Sequence, residues 1–402
     1  MLRGILVRLH RYAGLTLAAF LIVAGVTGSI IAFNEELDAA LNPELFTATA
    51  RGPALAPSEL ARRVERQLRN ASVTLIPLSV PMGEAAVLRV EPKTGTLAYD
   101  QVFADPVSGQ VLGTRDWGAA RLTRANAIPF IYLLHYTLQL PGVWGILLMG
   151  VMGCLWAIDC FIGFALTLPR GKPFWTKWRT SWRVKRAAGT YRLNLDLHRA
   201  GGLWLWGLLL MMAVSGVAMN LPEQVFRPVL SLVATLSPSP IEIAAKRPAP
   251  KPGAATIGYD EAVERARTIV QSRGSTFTPR NVFHYAAFGA YGVGFSRAGE
   301  DGETGLGSSF LYIDDRSGVA VAREIMGEGT AGDIFAQAQF PLHSGRIFGL
   351  PGRIAVCLLG LAVAGLSGTG VYIWARKRRH KVRKAKTIAA SVAPAALLEA
   401  AE

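Results

Sequence analysis

Cysteine and charge are both scarce in this sequence. It has 3 cysteines among 402 residues, and they lie in apolar stretches without C-x-x-C spacing. No disulfide framework, zinc site or iron–sulfur cluster is therefore indicated. Charged residues make up 18% of the chain, against about 25% in soluble proteins. The sequence also lacks a Walker motif, a nucleophile elbow and a dinucleotide-binding G-x-G-x-x-G after a strand, so ATP-driven transport, hydrolysis and a built-in nicotinamide or flavin domain have no support.

Four long hydrophobic runs are present instead, at residues 12–33, 143–168, 200–221 and 354–375. A bilayer core of about 30 Å is crossed by about 20 helical residues, so each run is long enough to span a membrane. The only charged residue in the four runs is Asp159. An acid inside a span is costly and indicates a function, although its partner is not evident from the sequence.

The net charge of +15 is concentrated at three membrane ends. Arg3, Arg8 and Arg11 precede the first run, residues 170–192 contain eight basic residues and no acid, and residues 376–386 contain eight more. Because basic residues accumulate on the cytoplasmic side, both termini are predicted to be cytoplasmic. The basic residues therefore determine the orientation of the spans, and membrane lipid is an expected partner. Nucleic acid is not expected as a partner.

The sequence contains an internal duplication. L-H-R-x-x-G-L opens the first span at residues 9–15 and the third at 197–203, and D-x-x-S-G occurs at 105–109 and 314–318. A helix is predicted before each D-x-x-S-G turn, at 57–70 and 259–272, with a strand on either side of the turn. A histidine then precedes L-P-G at 140–142 and 350–352. The two copies are expected to be related by a pseudo-twofold axis along the membrane normal.

The predicted fold is an α-helical membrane protein with four main transmembrane helices in two tandem repeats and two small periplasmic α+β domains. The predicted segments are the N-terminus and first span (1–33), the first periplasmic domain (34–130), an outer histidine segment with the second span (131–168), a basic cytoplasmic loop (169–197), the third span (198–221), the second periplasmic domain (222–340), an outer histidine segment with the fourth span (341–375) and a basic cytoplasmic tail (376–402).

Four of the 6 histidines occupy equivalent places in the two copies. His10 and His198 begin the odd-numbered spans, whereas His135 and His343 precede the even-numbered ones. Two neutral imidazoles on facing helices are the axial ligands of a b-type haem. The sequence therefore predicts two b-type haems, an inner one held by His10 and His198 and an outer one held by His135 and His343. With both axial positions filled, electron transfer is the expected role.

Other polar residues are weaker candidates. Arg11 and Arg199, each following an inner histidine, are candidate propionate contacts, although positive-inside anchoring also explains them. Zinc or copper is disfavoured, because two histidines at each depth are too few ligands. His284 has no equivalent in the other copy and is interpreted as a surface or strand residue, and His380 as solvated. Tyr132, Tyr136 and Arg346 are candidate substrate contacts near the outer pair, and no catalytic side chain is assigned.

These motifs resemble the PepSY-associated transmembrane family over about residues 5–380. The resemblance rests on the paired L-H-R-x-x-G-L openings, the outer domains with D-x-x-S-G turns and the histidines before the even spans. The family includes iron-regulated inner-membrane proteins, among them ferric-siderophore reductases of the FoxB type. The resemblance implies that the four histidines bind haem and that a periplasmic ferric siderophore is reduced and releases Fe(II). The electron donor would be a quinol or a separate cytoplasmic reductase.

Two other functions stay open from the sequence. PepSY-like domains also occur in proteins that sense or inhibit periplasmic proteases, and in such a non-enzymatic module the histidines would be polar packing residues. An iron or haem permease is the third hypothesis, although four spans without a central polar series offer no evident conduction path.

Overall fold

The computed structural model of the chain describes residues 1–121, 123–246, 257–274, 276–297 and 304–399. Parts of both predicted outer domains, and residues 400–402 of the predicted tail, lie outside them. The α-helices are α1 Leu2–Ile31, α2 Asn34–Leu41, α3 Pro43–Phe46, α4 Pro57–Gln67, α5 Ala127–Thr137, α6 Trp144–Thr167, α7 Phe174–Arg179, α8 Thr190–Trp204, α9 Trp206–Asn220, α10 Arg227–Leu230, α11 Pro240–Ala245, α12 Tyr259–Ser272, α13 Ala331–Gln337, α14 Gln339–Ser344 and α15 Gly349–Glu399. The strands are β1 Ala71–Pro77, β2 Ala86–Pro92, β3 Gln101–Ala104, β4 Val111–Arg115, β5 Phe277–Tyr285, β6 Ala290–Arg297, β7 Ser309–Asp314 and β8 Ala320–Glu324.

The chain folds into two compact units. The helical unit contains residues 1–29, 146–220 and the chain from 357 onwards. In the described residues, three helical segments are long and apolar enough to cross a membrane, namely Leu2–Ile31, Trp144–Thr167 and Arg346–Lys384. A fourth span exists if the bent pair α8 and α9 is counted as one. The predicted membrane character is confirmed, with three spans or up to four.

The predicted third span is not one straight helix. Its axis bends by 69° between Trp204 and Trp206, inside the run at 200–221 that the hydropathy pattern predicted to be continuous. Gly201, Gly202 and Gly207 lie around the break, and glycine is among the poorest helix formers. The Trp206 indole N–H donates to the Cys160 carbonyl of α6 at 3.0 Å. This bond fixes the first turn of α9 on the neighbouring helix.

Small residues let α1 and α15 approach closely. A Cβ built on Gly25 would clash with the Gly360 carbonyl oxygen, and one built on Gly360 would clash with the Ser29 hydroxyl. That hydroxyl donates to the Cys357 carbonyl at 2.7 Å. Small residues of both helices make this contact, Gly25 and Ser29 on α1 and Gly360 on α15.

The sheet unit contains residues 30–145 and 221–356. Within the described residues of this unit, eight strands form one antiparallel sheet in the order β4-β3-β2-β1-β5-β6-β7-β8. The first four strands come from the first copy and the last four from the second. The copies join where β1 pairs with β5, with Ile76 opposite Val282. The sheet order is therefore symmetric about this seam, and each half of the sheet corresponds to one copy of the duplicated sequence.

The two predicted outer domains share one sheet and one core. Val64 of α4 and Leu88 of β2 are fully buried in the same hydrophobic cluster as Ala266 of α12 and Val293 of β6. Both predicted helices and both predicted hairpins are confirmed as α4, α12, β3–β4 and β7–β8. What the sequence did not predict is their fusion across β1 and β5.

The D-x-x-S-G motifs form equivalent turns. The Asp105 carboxylate accepts from the amides of Val107 and Ser108 at 2.9 Å. In the second copy, the Asp314 carboxylate accepts from the amides of Arg316 and Ser317. Gly109 and Gly318 have φ of 72° and 67°, a left-handed conformation that favours glycine. A Cβ at either position would also clash with an arginine of the preceding helix, Arg63 for Gly109 and Arg265 for Gly318. These turns anchor the outer hairpins on α4 and α12.

Candidate functional site

The predicted inner histidines face each other in the helical unit. His10 lies in α1 and His198 in α8, and their ring centres are 6.0 Å apart with an interplanar angle of 51°. Both imidazoles are half-buried. The symmetry argument paired these two residues from sequence alone, and the fold places them side by side.

Both inner imidazoles are held through Nδ1. His10 Nδ1 donates to the Asp159 carboxylate at 2.9 and 3.1 Å. His198 Nδ1 lies 3.0 Å from the Leu366 carbonyl and 3.1 Å from the Thr369 hydroxyl. When Nδ1–H donates, the neutral ring carries its lone pair on Nε2. A carboxylate or carbonyl in this position is the usual second partner of a metal-binding histidine, and it gives Asp159, the one acid of the spans, a partner.

Two glycines leave room for the inner imidazoles. A Cβ on Gly163 of α6 would lie 3.5 Å from His10 Cε1, and one on Gly370 of α15 would lie 3.2 Å from His198 Cε1. Each glycine is four residues after the group that accepts the hydrogen bond from its histidine, Asp159 or Leu366. A methyl group at Gly370 would therefore crowd the His198 ring, whereas one at Gly163 would meet the His10 ring at ordinary contact distance.

The predicted outer histidines are also adjacent. His135 of α5 and His343 of α14 belong to the sheet unit, with ring centres 6.2 Å apart at 63°. Burial, together with a smaller contribution from neighbouring His135, lowers the pKa of His343 to about 3. His343 is therefore a neutral imidazole at physiological pH, the form that binds a metal.

The spacing of both pairs fits two axial ligands of one iron. With a metal–nitrogen bond of about 2 Å and roughly 1 Å from nitrogen to ring centre, imidazoles sharing one metal have centres about 6 Å apart. Aromatic rings packed without a metal also meet at about 4.5–7 Å, so the Nδ1 partners and the glycine cradles add the discriminating evidence. In the described part of the chain, no group of three or more His, Cys, Asp or Glu side chains could hold a metal ion.

Arg11 and Arg199 line one cavity of about 820 Å³ in the helical unit, here named the basic cavity. Arg199 Nη2 donates to Asp196 at 2.8 Å and to the Thr180 carbonyl at 2.9 Å. Its Nε is buried without a hydrogen-bond partner among the described residues. Arg11 is half-buried and makes no hydrogen bond or ion pair within that part of the chain. Both guanidinium groups therefore keep donors for an anionic ligand such as a propionate.

Aromatic and cationic side chains cluster in the sheet unit. The Trp117 ring is 5.4 Å from Tyr132, which is 5.8 Å from Tyr136, and the Arg89 guanidinium lies 4.8 Å over Trp117. Burial raises the pKa of Tyr132, and the positive charge of Arg346 opposes that rise. Arg346 itself donates to Glu35 at 2.7 Å. Tyr132 and Tyr136 share α5 with His135, so the three candidate substrate contacts and one outer histidine belong to one region.

The two remaining histidines lie outside both pairs. His284 of β5 bonds Asp315 at 3.0 Å and packs on Tyr291 with ring centres 4.5 Å apart. This agrees with its interpretation as a strand residue. His380 is exposed on α15.

A comparison of the sequence with models of known protein families identifies the family of this chain. The model for the PepSY-associated TM region matches residues 7–377. The chain belongs to the PepSY-associated transmembrane family. Among curated proteins, none matches it.

Sequence reasoning missed several groups around the inner pair of this PepSY-associated transmembrane protein. Asp196 is fully buried and pairs with Arg192 and Arg199; an acid with arginines at i−4 and i+3 is a helical ion-pair pattern that signals such a contact. Thr369 is a polar residue in the fourth span, which is a weaker signal. The Leu366 carbonyl has no signal in the sequence, because every residue carries one.

Proposed function

We propose that the chain is a dihaem b-type reductase of the bacterial inner membrane. Electrons would pass from the cytoplasmic or quinone side to a periplasmic ferric siderophore, whose iron is released as Fe(II). The single observation that carries the proposal is the pairing of four duplicated histidines with ring-centre separations of 6.0 and 6.2 Å. FoxB-type ferric-siderophore reductases, which the motifs resemble, are the expected relatives in function.

The chain's own residues have defined tasks in this proposal. His10 and His198 would hold the inner haem and His135 and His343 the outer one, each through a ring nitrogen. Asp159, the Leu366 carbonyl and Thr369 fix the inner rings, and Arg11 and Arg199 are suited to bind propionates. When bound, each haem supplies a one-electron Fe(III)/Fe(II) couple. One histidine pair in each unit provides two places for such a couple.

The chemistry of the acceptor suits an outer docking surface. A ferric chelate held by hydroxamate or catecholate oxygens binds iron tightly, whereas Fe(II) is softer and is held weakly by the same ligands. One electron per iron therefore releases the metal and leaves the carrier intact. Trp117, Tyr132 and Tyr136, with the cations Arg89 and Arg346, offer aromatic faces and positive charge to an anionic chelate. The donor is a membrane quinol or a separate cytoplasmic reductase.

The deciding experiment is a haem assay with a reduced-minus-oxidised spectrum on the full chain in mild detergent. We expect about two b-type haems per chain with low-spin bis-histidine bands. His10→Ala or His198→Ala should remove the inner haem, and His135→Ala or His343→Ala the outer one, so each variant keeps about one. His284→Ala is the matched control, because His284 also bonds a carboxylate but faces no second histidine.

Two results would contradict the proposal. Full haem content in all four variants would void the ligand assignment. A haem-free wild-type protein, after expression with adequate haem, would favour a PepSY-type sensor or protease inhibitor, or a permease. If haem is present, reduction of a ferric siderophore by the prereduced protein tests the acceptor separately.

A further inference from the structure

The basic cavity carries more positive charge than the proposed haem needs. Six cationic residues and no acid line it, namely Arg3, Arg8, Arg11, Arg170, Lys177 and Arg199. Two propionates bring two negative charges, and Arg11 and Arg199 suffice for them. Four cations remain without an assigned anion. A concave, single-sign cluster of this kind concentrates anions.

Several of these cations keep hydrogen-bond donors that no other described residue uses. The guanidinium groups of Arg8 and Arg170 form no hydrogen bond or ion pair within the described residues, although the Arg170 carbonyl accepts from Lys177 Nζ at 3.4 Å. Arg199 Nε is a buried donor without a partner there. Arg3 is used differently: it donates to the carbonyls of Leu166 and Leu168 at 2.6 and 2.9 Å and so satisfies the open end of α6. The cavity therefore has donors available and a rigid floor.

The rest of the cavity wall is apolar. Val7, Leu166, Leu168 and Pro169 contribute to it, and it is built at the ends of α1 and α6, two of the candidate membrane spans. Trp175 of the adjoining α7 is 73% exposed, as expected of a side chain at the headgroup level. A ligand that combines a phosphate with acyl chains matches this surface, because the phosphate meets the cations and the chains continue along the spans.

We infer that the basic cavity is a specific binding site for the phosphate headgroup of an anionic membrane phospholipid. Basic pockets between transmembrane helices bind such headgroups. The inference is independent of the proposed function, since neither Arg8 nor Arg170 is assigned to haem. It also differs from general positive-inside anchoring, which requires no defined site and no saturation.

The test uses the full chain, purified in detergent and delipidated. Native mass spectrometry counts bound lipid while phosphatidylglycerol, cardiolipin or phosphatidylcholine is added, with inorganic phosphate as a competitor. We expect saturable binding of one anionic lipid, with phosphatidylcholine at least about tenfold weaker. Millimolar inorganic phosphate should not displace the lipid, because it lacks the acyl chains.

The matched variants distinguish a site from diffuse attraction. Arg8→Gln/Arg170→Gln removes two cations from the cavity and should lower lipid affinity about tenfold or more. Arg179→Gln/Arg186→Gln removes the same charge from exposed positions of the same basic loop that do not line the cavity, and should leave affinity within about twofold. Arg170→Gln alone serves if the double variant does not fold.

Three results would overturn the inference. Equal losses in the two double variants would show diffuse attraction, and equal binding of phosphatidylcholine would show that charge is not recognised. Displacement by inorganic phosphate would identify a soluble anion as the ligand. The haem spectrum of the same samples reports the proposed function separately, so the two can fail independently.

Discussion

At the scale of single residues, the two inner histidines are held by unlike groups. His10 faces a carboxylate, Asp159, whereas His198 faces a neutral carbonyl and a hydroxyl. A carboxylate makes an imidazole more basic than a carbonyl does. The two copies thus place equivalent histidines in equivalent positions but give them partners of different charge.

If His10 binds the proposed inner haem, we predict that Asp159→Asn raises the reduction potential of that haem by roughly tens of millivolts, because a less basic His10 would stabilise Fe(III) less. A spectroelectrochemical titration measures it. Thr369→Val is the matched control: it removes one of two partners of His198 and leaves the Leu366 carbonyl, so its shift should be smaller. An unchanged potential in Asp159→Asn would show that the carboxylate only fills space.

At the scale of elements, the close contact of α1 with α15 depends on two glycines and a serine. The Ser29 hydroxyl bonds the Gly25 carbonyl of its own helix at 2.8 Å and the Cys357 carbonyl of α15 at 2.7 Å. Such interhelical bonds and small residues replace the hydrophobic driving force that is absent between spans in lipid.

Gly360→Ala should destabilise the helical unit by about 1–3 kcal/mol, the usual cost of overpacking. The new Cβ would clash with the Ser29 hydroxyl and the Gly25 carbonyl oxygen. Gly365→Ala on the same helix is the control, since its Cβ would meet nothing within 4 Å and the alanine favours the helix. Thermal unfolding in detergent compares them, and equal midpoints would rule out a tight α1–α15 contact.

The sequence predicted elements well where a local signal exists. Hydropathy located α1, α6 and α15, and the D-x-x-S-G turns located both hairpins. The break at Leu205 was missed because a hydropathy window averages over the glycines that cause it. At the site, repeat symmetry was enough to pair His10 with His198 and His135 with His343. Their partners in the neighbouring helices depend on tertiary packing, which no local pattern encodes.

At the scale of the whole molecule, the sheet unit behaves as one body made from two copies. Ile76 and Val282 face each other at the seam and are almost fully buried, at 1% and 0% exposure. Because both copies contribute to one core, loss of packing at the seam should lower the stability of both copies.

Ile76→Ala should therefore raise amide hydrogen exchange in β3 of the first copy and in β7 of the second, with a cost of about 2–5 kcal/mol. Met82→Ala is the control, because Met82 is 89% exposed. Hydrogen exchange with mass spectrometry on the full chain reads both strands at once. Faster exchange in β3 alone would show that the copies are separate folding units.

The seam between β1 and β5 also bears on the origin of the chain. A polypeptide with a single copy would leave β1 as an open edge of a four-stranded sheet, and open edges recruit other strands. Two such polypeptides would close each other's edges antiparallel, as a twofold homodimer. The present chain keeps that arrangement within one gene product, in which each half is free to acquire its own side chains. The inner histidines illustrate this, because His10 has the Asp159 carboxylate as its partner whereas His198 has the Leu366 carbonyl.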